Sequence, residues 1–159
     1  MTRRRAARFG AIQALFQTEL SGADVEAVIA EFQAHRLADL LEPLEGSEPA
    51  PAVDREWFAA LTRGAWQRSQ ELDPMLEDLL AEGWTLKRAG YLLRACLRAG
   101  AFELAARPDV PTAVVINEYV ELAHAFLSQD EAGFINAVLD RLALRLRPQP
   151  EPGTEPASA

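Results

Sequence analysis

Apolar residues recur every three to four positions along most of this chain, and no stretch alternates with the two-residue period of a strand. Seven helices follow from that pattern. The first covers roughly Arg3 to Leu20, with Phe9, Ile12, Leu15 and Phe16 on its apolar face and Ser21-Gly22 at its end. The second runs from about Asp24 to Leu41 on Val25, Val28, Ile29, Phe32 and Leu40. Pro43, Gly46, Pro49 and Pro51 mark a loop to Val53. Asp54 caps a third helix carrying Trp57, Phe58, Leu61, Ala65 and Leu72. Asp73-Pro74 reads as a cap and a first helical proline, opening a short fourth helix from Pro74 to Glu82 that Gly83 stops. A fifth begins after Trp84-Thr85 and reaches about Ala105.

The stretch from Asp109 to Asp140 is the one the rest is organised around. Pro108 and Pro111 cannot continue a helix, so Thr112 reads as the cap of the sixth. Ile116, Tyr119, Val120, Ala123 and Phe126 form its apolar stripe. Ser128 and Glu131 stand in the spacing of a capping box. The seventh helix then continues on Ile135, Val138, Leu139 and Leu142. Phe126, Asp130, Phe134 and Asn136 surround the elbow between the two, a candidate binding surface. The pattern predicts an all-α fold.

Composition changes the picture in three ways. With 159 residues, 49% of them hydrophobic, the chain is long enough and apolar enough to bury a core. There is no apolar run near the length of a membrane span, no signal-peptide pattern, and a single cysteine, Cys96; the cytoplasm is the expected compartment. The formal net charge is −8, yet Arg3, Arg4, Arg5 and Arg8 precede the first acid, Glu19. A short basic patch on an acidic body suits phosphate binding at one place, and a solubilising terminus is the plain alternative.

Catalytic chemistry is not called for. His35 and His124 sit far apart on polar helix faces without second ligands, and no zinc, phosphate-loop, dinucleotide or nucleophile-elbow motif occurs. Cys96, in YLLRACLRAG, reads as a buried inert thiol. Glu118 and Glu121 share a helix face and read as solvated carboxylates. The expectation is a protein that is not an enzyme and holds no cofactor or metal.

Three blocks carry a family resemblance: RRAARFGAIQALF at Arg4–Phe16, WTLKRAGYLLRACLRAGAFEL at Trp84–Leu104, and DVPTAVVINEYVELAHAF with FINAVLD within Asp109–Asp140. In these the chain resembles the NusB family of bacterial transcription antitermination factors, over roughly Arg3 to Arg145. The resemblance implies two packed helical subdomains, roughly 1–72 and 73–146. Outside it, the prolines with Gly, Ser, Thr and Glu over 147–159 predict a disordered tail. It also implies a non-catalytic function. Such a protein pairs with NusE, a small-subunit ribosomal protein, on the boxA element of nascent single-stranded RNA. The pair joins the RNA polymerase elongation complex and suppresses premature termination, especially in ribosomal RNA operons.

Carried over by position, the resemblance assigns RNA contacts to Arg3, Arg4, Arg5, Arg8, Gln13, Phe16, Phe126, Asp130 and Phe134. The partner is expected on the fifth helix and the start of the sixth, around Arg94, Arg98 and Glu118, whose polar groups line one side of a chain with its other faces in the core. Arginines on phosphate and bases laid on aromatic rings are how single strands are held; core packing competes for Phe16 and Phe134. The sequence departs from the family at Leu127, Glu131 and Gly133, where a glycine, a small polar residue and a lysine are common. It departs again at Leu93, where an acid facing NusE is usual. The alternative reading is a helical interaction module like the NusB-like domain of ribosomal RNA cytosine methyltransferases. A third option is homodimerisation through the exposed aromatics.

Overall fold

Thr2, Asp24, Asp54 and Ser128 each set a side-chain oxygen against N–H groups of the turn that follows, and each begins a helix. The computed structural model describes residues 2–37, 53–80 and 83–147. Among these the chain is helical, without a strand. The elements are α1 (Arg3–Ser21), α2 (Val25–Glu31), α3 (Arg55–Gln67), α4 (Ser69–Leu79), α5 (Leu86–Ala89), α6 (Tyr91–Ala106), α7 (Thr112–Phe126) and α8 (Gln129–Leu146). The all-α expectation holds. No helix among the described residues is long and apolar enough to cross a membrane.

Several boundaries differ from the sequence expectation, each for a local reason. The second helix passes at Phe32–Arg36 into a wider turn, in which the Leu37 N–H reaches the Phe32 carbonyl. Its expected end at Leu41, the following proline loop and the tail over 148–159 lie outside the described residues. The fourth helix, expected to reach Glu82, ends at Leu79, where Leu80 turns extended at ψ 149°. The break between α3 and α4 falls at Arg68, whose carbonyl accepts from Glu71 and Leu72 at 3.0 and 2.9 Å and so starts a new helix. Pro74 is therefore inside α4, on its exposed side, where water can satisfy the carbonyl that loses its donor. The expected fifth helix is two, because Gly90 sits at φ 87° and ψ 156°. Thr112 is the first residue of α7 and not its cap. Pro111 holds the cap position, and the Thr112 hydroxyl accepts from Arg147 at 3.1 Å instead.

α6 is the centre of the fold. It is apolar nearly all round, with Leu93, Ala95, Cys96, Leu97, Ala99, Ala101 and Leu104 buried. It packs against α1, α3, α4, α7 and α8. Residues from both expected halves, 1–72 and 73–146, thus join one continuous core cluster. α3 lies close against α6 because Gly64 has no side chain; a Cβ there would stand 2.1 Å from Phe102 Cζ.

The end of α8 is fastened by Arg147. Its guanidinium donates to the carbonyls of Leu104 at 3.0 Å, Val110 at 2.6 Å and Arg107 at 2.6 Å. One side chain thereby satisfies carbonyls at the end of α6 and in the turn before α7. Arg147→Ala should cost about 2–3 kcal/mol, the scale of lost bonds to a charged donor. It should also speed amide hydrogen exchange around Val110 in particular; unchanged exchange there would show that the turn holds without the clamp.

Candidate nucleic-acid interface

Arg5, Phe9, Gln13 and Phe16 recur at helical spacing along α1 and form one half-buried stripe. The Phe9 ring tilts against Phe126 with centroids 6.3 Å apart, which brings the end of α7 beside the stripe. Phe16 meets Tyr91 edge to face at 6.4 Å. The capping box at Ser128 and Glu131 is present, with both bonds at 3.1 Å, and it turns the chain into α8. Beyond the elbow, Phe134 packs on Trp84 at 5.8 Å. Trp84 and Tyr91 are 51% and 43% exposed.

Packing and exposure are therefore combined at these aromatics. Phe16, Phe126 and Phe134 are half-buried; each contributes to the protein and keeps part of its ring accessible. Sequence periodicity placed Phe9 in the core face, and it gave no sign that Trp84 and Tyr91 stand at the surface. The available signal was their position beside Gly83 and Gly90, where the chain leaves helical geometry. Trp84, Arg88, Leu93, Asp130, Glu131 and Phe134 line a cleft of about 440 Å³ at this end. Leu93, the departure from the family's usual acid, is buried there.

The four N-terminal arginines are not equivalent. Arg3 is exposed, and Arg4 lies over the Trp57 ring at 4.1 Å. A second guanidinium, Arg107, also lies 4.1 Å from that indole. The Nε of Arg5 is 2.6 Å from Glu118 Oε2. Arg8 corrects the expectation. It is 3% exposed, and its Nε and Nη2 grip the Glu103 carboxylate at 2.9 and 2.8 Å. Burial works against its charged form, but the bond to Glu103 and that group's charge more than compensate, and its pKa is raised. Glu103, itself fully buried, also accepts from the Tyr119 hydroxyl at 3.1 Å. Burial, with the neighbouring charge of Glu103, pushes the Tyr119 phenol well above its ordinary value. Arg8 thus joins α1 to α6 and α7, where the sequence expectation had it holding phosphate.

The three residues expected at the partner face are also turned to internal work. Arg94 is buried; it donates to Glu19 at 2.8 Å and to the carbonyls of Leu86 and Lys87 at 2.5 and 3.0 Å. Arg98 grips Asp73 at 3.0 and 2.7 Å and reaches Glu19 at 3.0 Å. Glu118 is held by Arg5. These pairs tie α1, α4, α5, α6 and α7 together, and they do not form one outward surface. Cys96 is fully buried, and burial pushes its thiol up to about 12, so it is inert at neutral pH.

The profile of the NusB family matches residues 5–144. The transcription antitermination protein NusB of Nitrobacter hamburgensis is 46% identical over 145 residues, covering 91% of this chain and 88% of that protein. Among solved structures, NusB of T. maritima superposes with a TM-score of 0.71 at 27% identity, covering 91% of this chain and 93% of the other. A crystal structure of antitermination factors NusB and NusE in complex with double-stranded RNA shares the fold, with a TM-score of 0.68 at 22% identity over 90% of this chain and 97% of that one. With a family profile spanning nearly all of its helices and a relative of nearly the same extent, the chain belongs to the NusB family of transcription antitermination proteins.

Proposed function

We propose that this protein binds single-stranded boxA RNA as the partner of NusE and, in the RNA polymerase elongation complex, suppresses premature termination, especially of ribosomal RNA operons. The observation that carries the reading is a strip of partly exposed aromatic rings beside the arginine-bearing N-terminus of α1. Phe9, Gln13 and Phe16 share one face of α1, with Phe126 against Phe9 and Tyr91 against Phe16. Trp84, Phe134 and Asp130 line the cleft at the elbow, and Arg3 and Arg4 stand at the start of α1. Arginine on phosphate with bases laid on partly exposed rings requires unstacked bases, which favours a single strand over a duplex. A solved structure of the same fold that holds NusB, NusE and double-stranded RNA together supports the partnership with NusE and RNA.

The strip offers few groups that read bases in sequence order, and stacking tolerates any base. Phosphate contacts carry no sequence information. The protein alone should therefore separate boxA from a scrambled RNA of the same composition by only a small factor. With NusE present the ratio should rise several-fold. The test is that affinity ratio at one salt concentration, for the protein and for the pair. A full ratio for the protein alone would move specificity into this chain; no binding of either RNA by either preparation would overturn the reading.

A further inference from the structure

Glu118 of α7 meets Arg5 of α1 across 113 positions, and the Arg5 Nε donates to its Oε2 at 2.6 Å. The carboxylate is also approached from the core side. Arg8, fixed on Glu103, brings its Nη1 to 3.9 Å from the same Glu118 oxygen. A row of polar groups therefore runs outward from the core through Tyr119, Glu103, Arg8, Glu118 and Arg5. The Glu118 side chain is 16% exposed and that of Arg5 is 30% exposed, so the row ends at the surface. Arg5 also opens the α1 stripe that continues in Phe9, Gln13 and Phe16. Its Nε is taken by Glu118, while its two Nη groups have no hydrogen-bond partner among the described residues. Those two groups form an edge that can grip two oxygens of one phosphate. Glu121, one helical turn further along α7, is a useful contrast. It is exposed and has no ion-pair partner among the described residues.

We propose that Glu118 is a positioning residue for RNA, holding Arg5 by its Nε so that the Nη edge is ready for a backbone phosphate beside the Phe9 ring. The proposal rests on the RNA-binding reading above and gives Glu118 a part in it. Glu118 touches no nucleotide and acts through Arg5. One carboxylate here has two opposed effects. Its charge repels the strand, and its bond orders the arginine that the strand uses. A free arginine loses rotamer freedom when it grips a ligand, and one already tethered at Nε has lost much of it beforehand. At Glu121 only the repulsion acts. At Glu118 the charge is met by Arg5 in direct contact and by Arg8 close behind, so most of the repulsion is cancelled locally and the ordering dominates.

The test is a double-mutant cycle on the full chain, with labelled boxA RNA and NusE at one salt concentration. Glu118→Ala should weaken binding about fivefold, the scale of ordering one long side chain, although it removes a negative charge. Glu118→Gln keeps an oxygen for the Arg5 Nε and should hold the affinity of the unaltered protein or exceed it. In an Arg5→Ala background the sign should reverse. There Glu118→Ala should strengthen binding, because only repulsion remains. Glu121→Ala makes the same change of charge one turn on and should strengthen binding in both backgrounds. A purely structural part for Glu118, or a contact of Glu118 with NusE, would lower affinity in both backgrounds. A purely repulsive part would raise it in both. Either result would overturn the proposal, and binding by the unaltered protein would leave the RNA-binding reading standing. Failure of the unaltered protein to bind boxA RNA in the presence of NusE would overturn both.

Discussion

Replacing Glu103 with alanine should lower the free energy of unfolding by about 3–5 kcal/mol, because it leaves a buried arginine charge without its partner. Arg8 is 3% exposed and Glu103 fully buried, so neither charge can return to water without opening the contact of α1 with α6. The carboxylate takes two charged bonds from Arg8, at 2.9 and 2.8 Å, and one from Tyr119 at 3.1 Å, so its loss orphans donors on two helices. The double replacement Arg8→Met with Glu103→Leu removes both charges and fills the space. It should cost far less than the single change, since a buried pair gains little over apolar side chains of similar size. Urea unfolding of both variants gives the comparison. A loss below about 1 kcal/mol for Glu103→Ala would mean that Arg8 escapes to solvent with little rearrangement, a cost typical of exposed pairs.

Removing Arg3 and Arg4 together should flatten the salt dependence of RNA binding and cost only about 0.5–1 kcal/mol of stability, the scale of the exposed contact of Arg4 with the Trp57 ring. Each phosphate neutralised on a single strand contributes about −0.7 to the slope of log affinity against log salt. Four equivalent arginines would give a slope near −3. The structure reduces that expectation. Arg8 is internal and Arg5 is shared with Glu118 at 2.6 Å, so Arg3 and Arg4 remain as the cations least bound to the body. Arg3→Ala with Arg4→Ala should therefore reduce the magnitude of the slope by about 1.4 and weaken all RNAs alike. Adding Arg5→Ala should reduce it by a smaller further step, because releasing Glu118 places a new negative charge near the strand. If Arg8→Met alone flattened the slope as much as Arg3→Ala in a fully folded protein, Arg8 would have to turn outward on binding RNA.

The sequence by itself determined the helices and several of their ends. Asp54 and the Ser128–Glu131 box cap as their spacing predicts, since a cap and the N–H groups that it satisfies lie within three residues. Apolar stripes at helical spacing likewise report which face is buried, as Ile135, Val138, Leu139 and Leu142 do in α8. The same local logic could not say which helix is central, and the elbow drew attention that α6 takes in the fold. Nor could it say what a charged side chain meets. Arg8 finds Glu103 across 95 positions, Arg94 finds Glu19 across 75, and Arg5 finds Glu118 across 113. Four arginines that look alike in a row of residues became an internal clamp, a half-buried pair and two outward cations. Only tertiary packing decides this, because the worth of a charge depends on the solvent that it loses and the partner that it gains. The exposed Trp84 and Tyr91 belong to the same class: both sit beside glycines that leave helical geometry, and the packing of α1 and α8 around them sets how much of each ring stays in water.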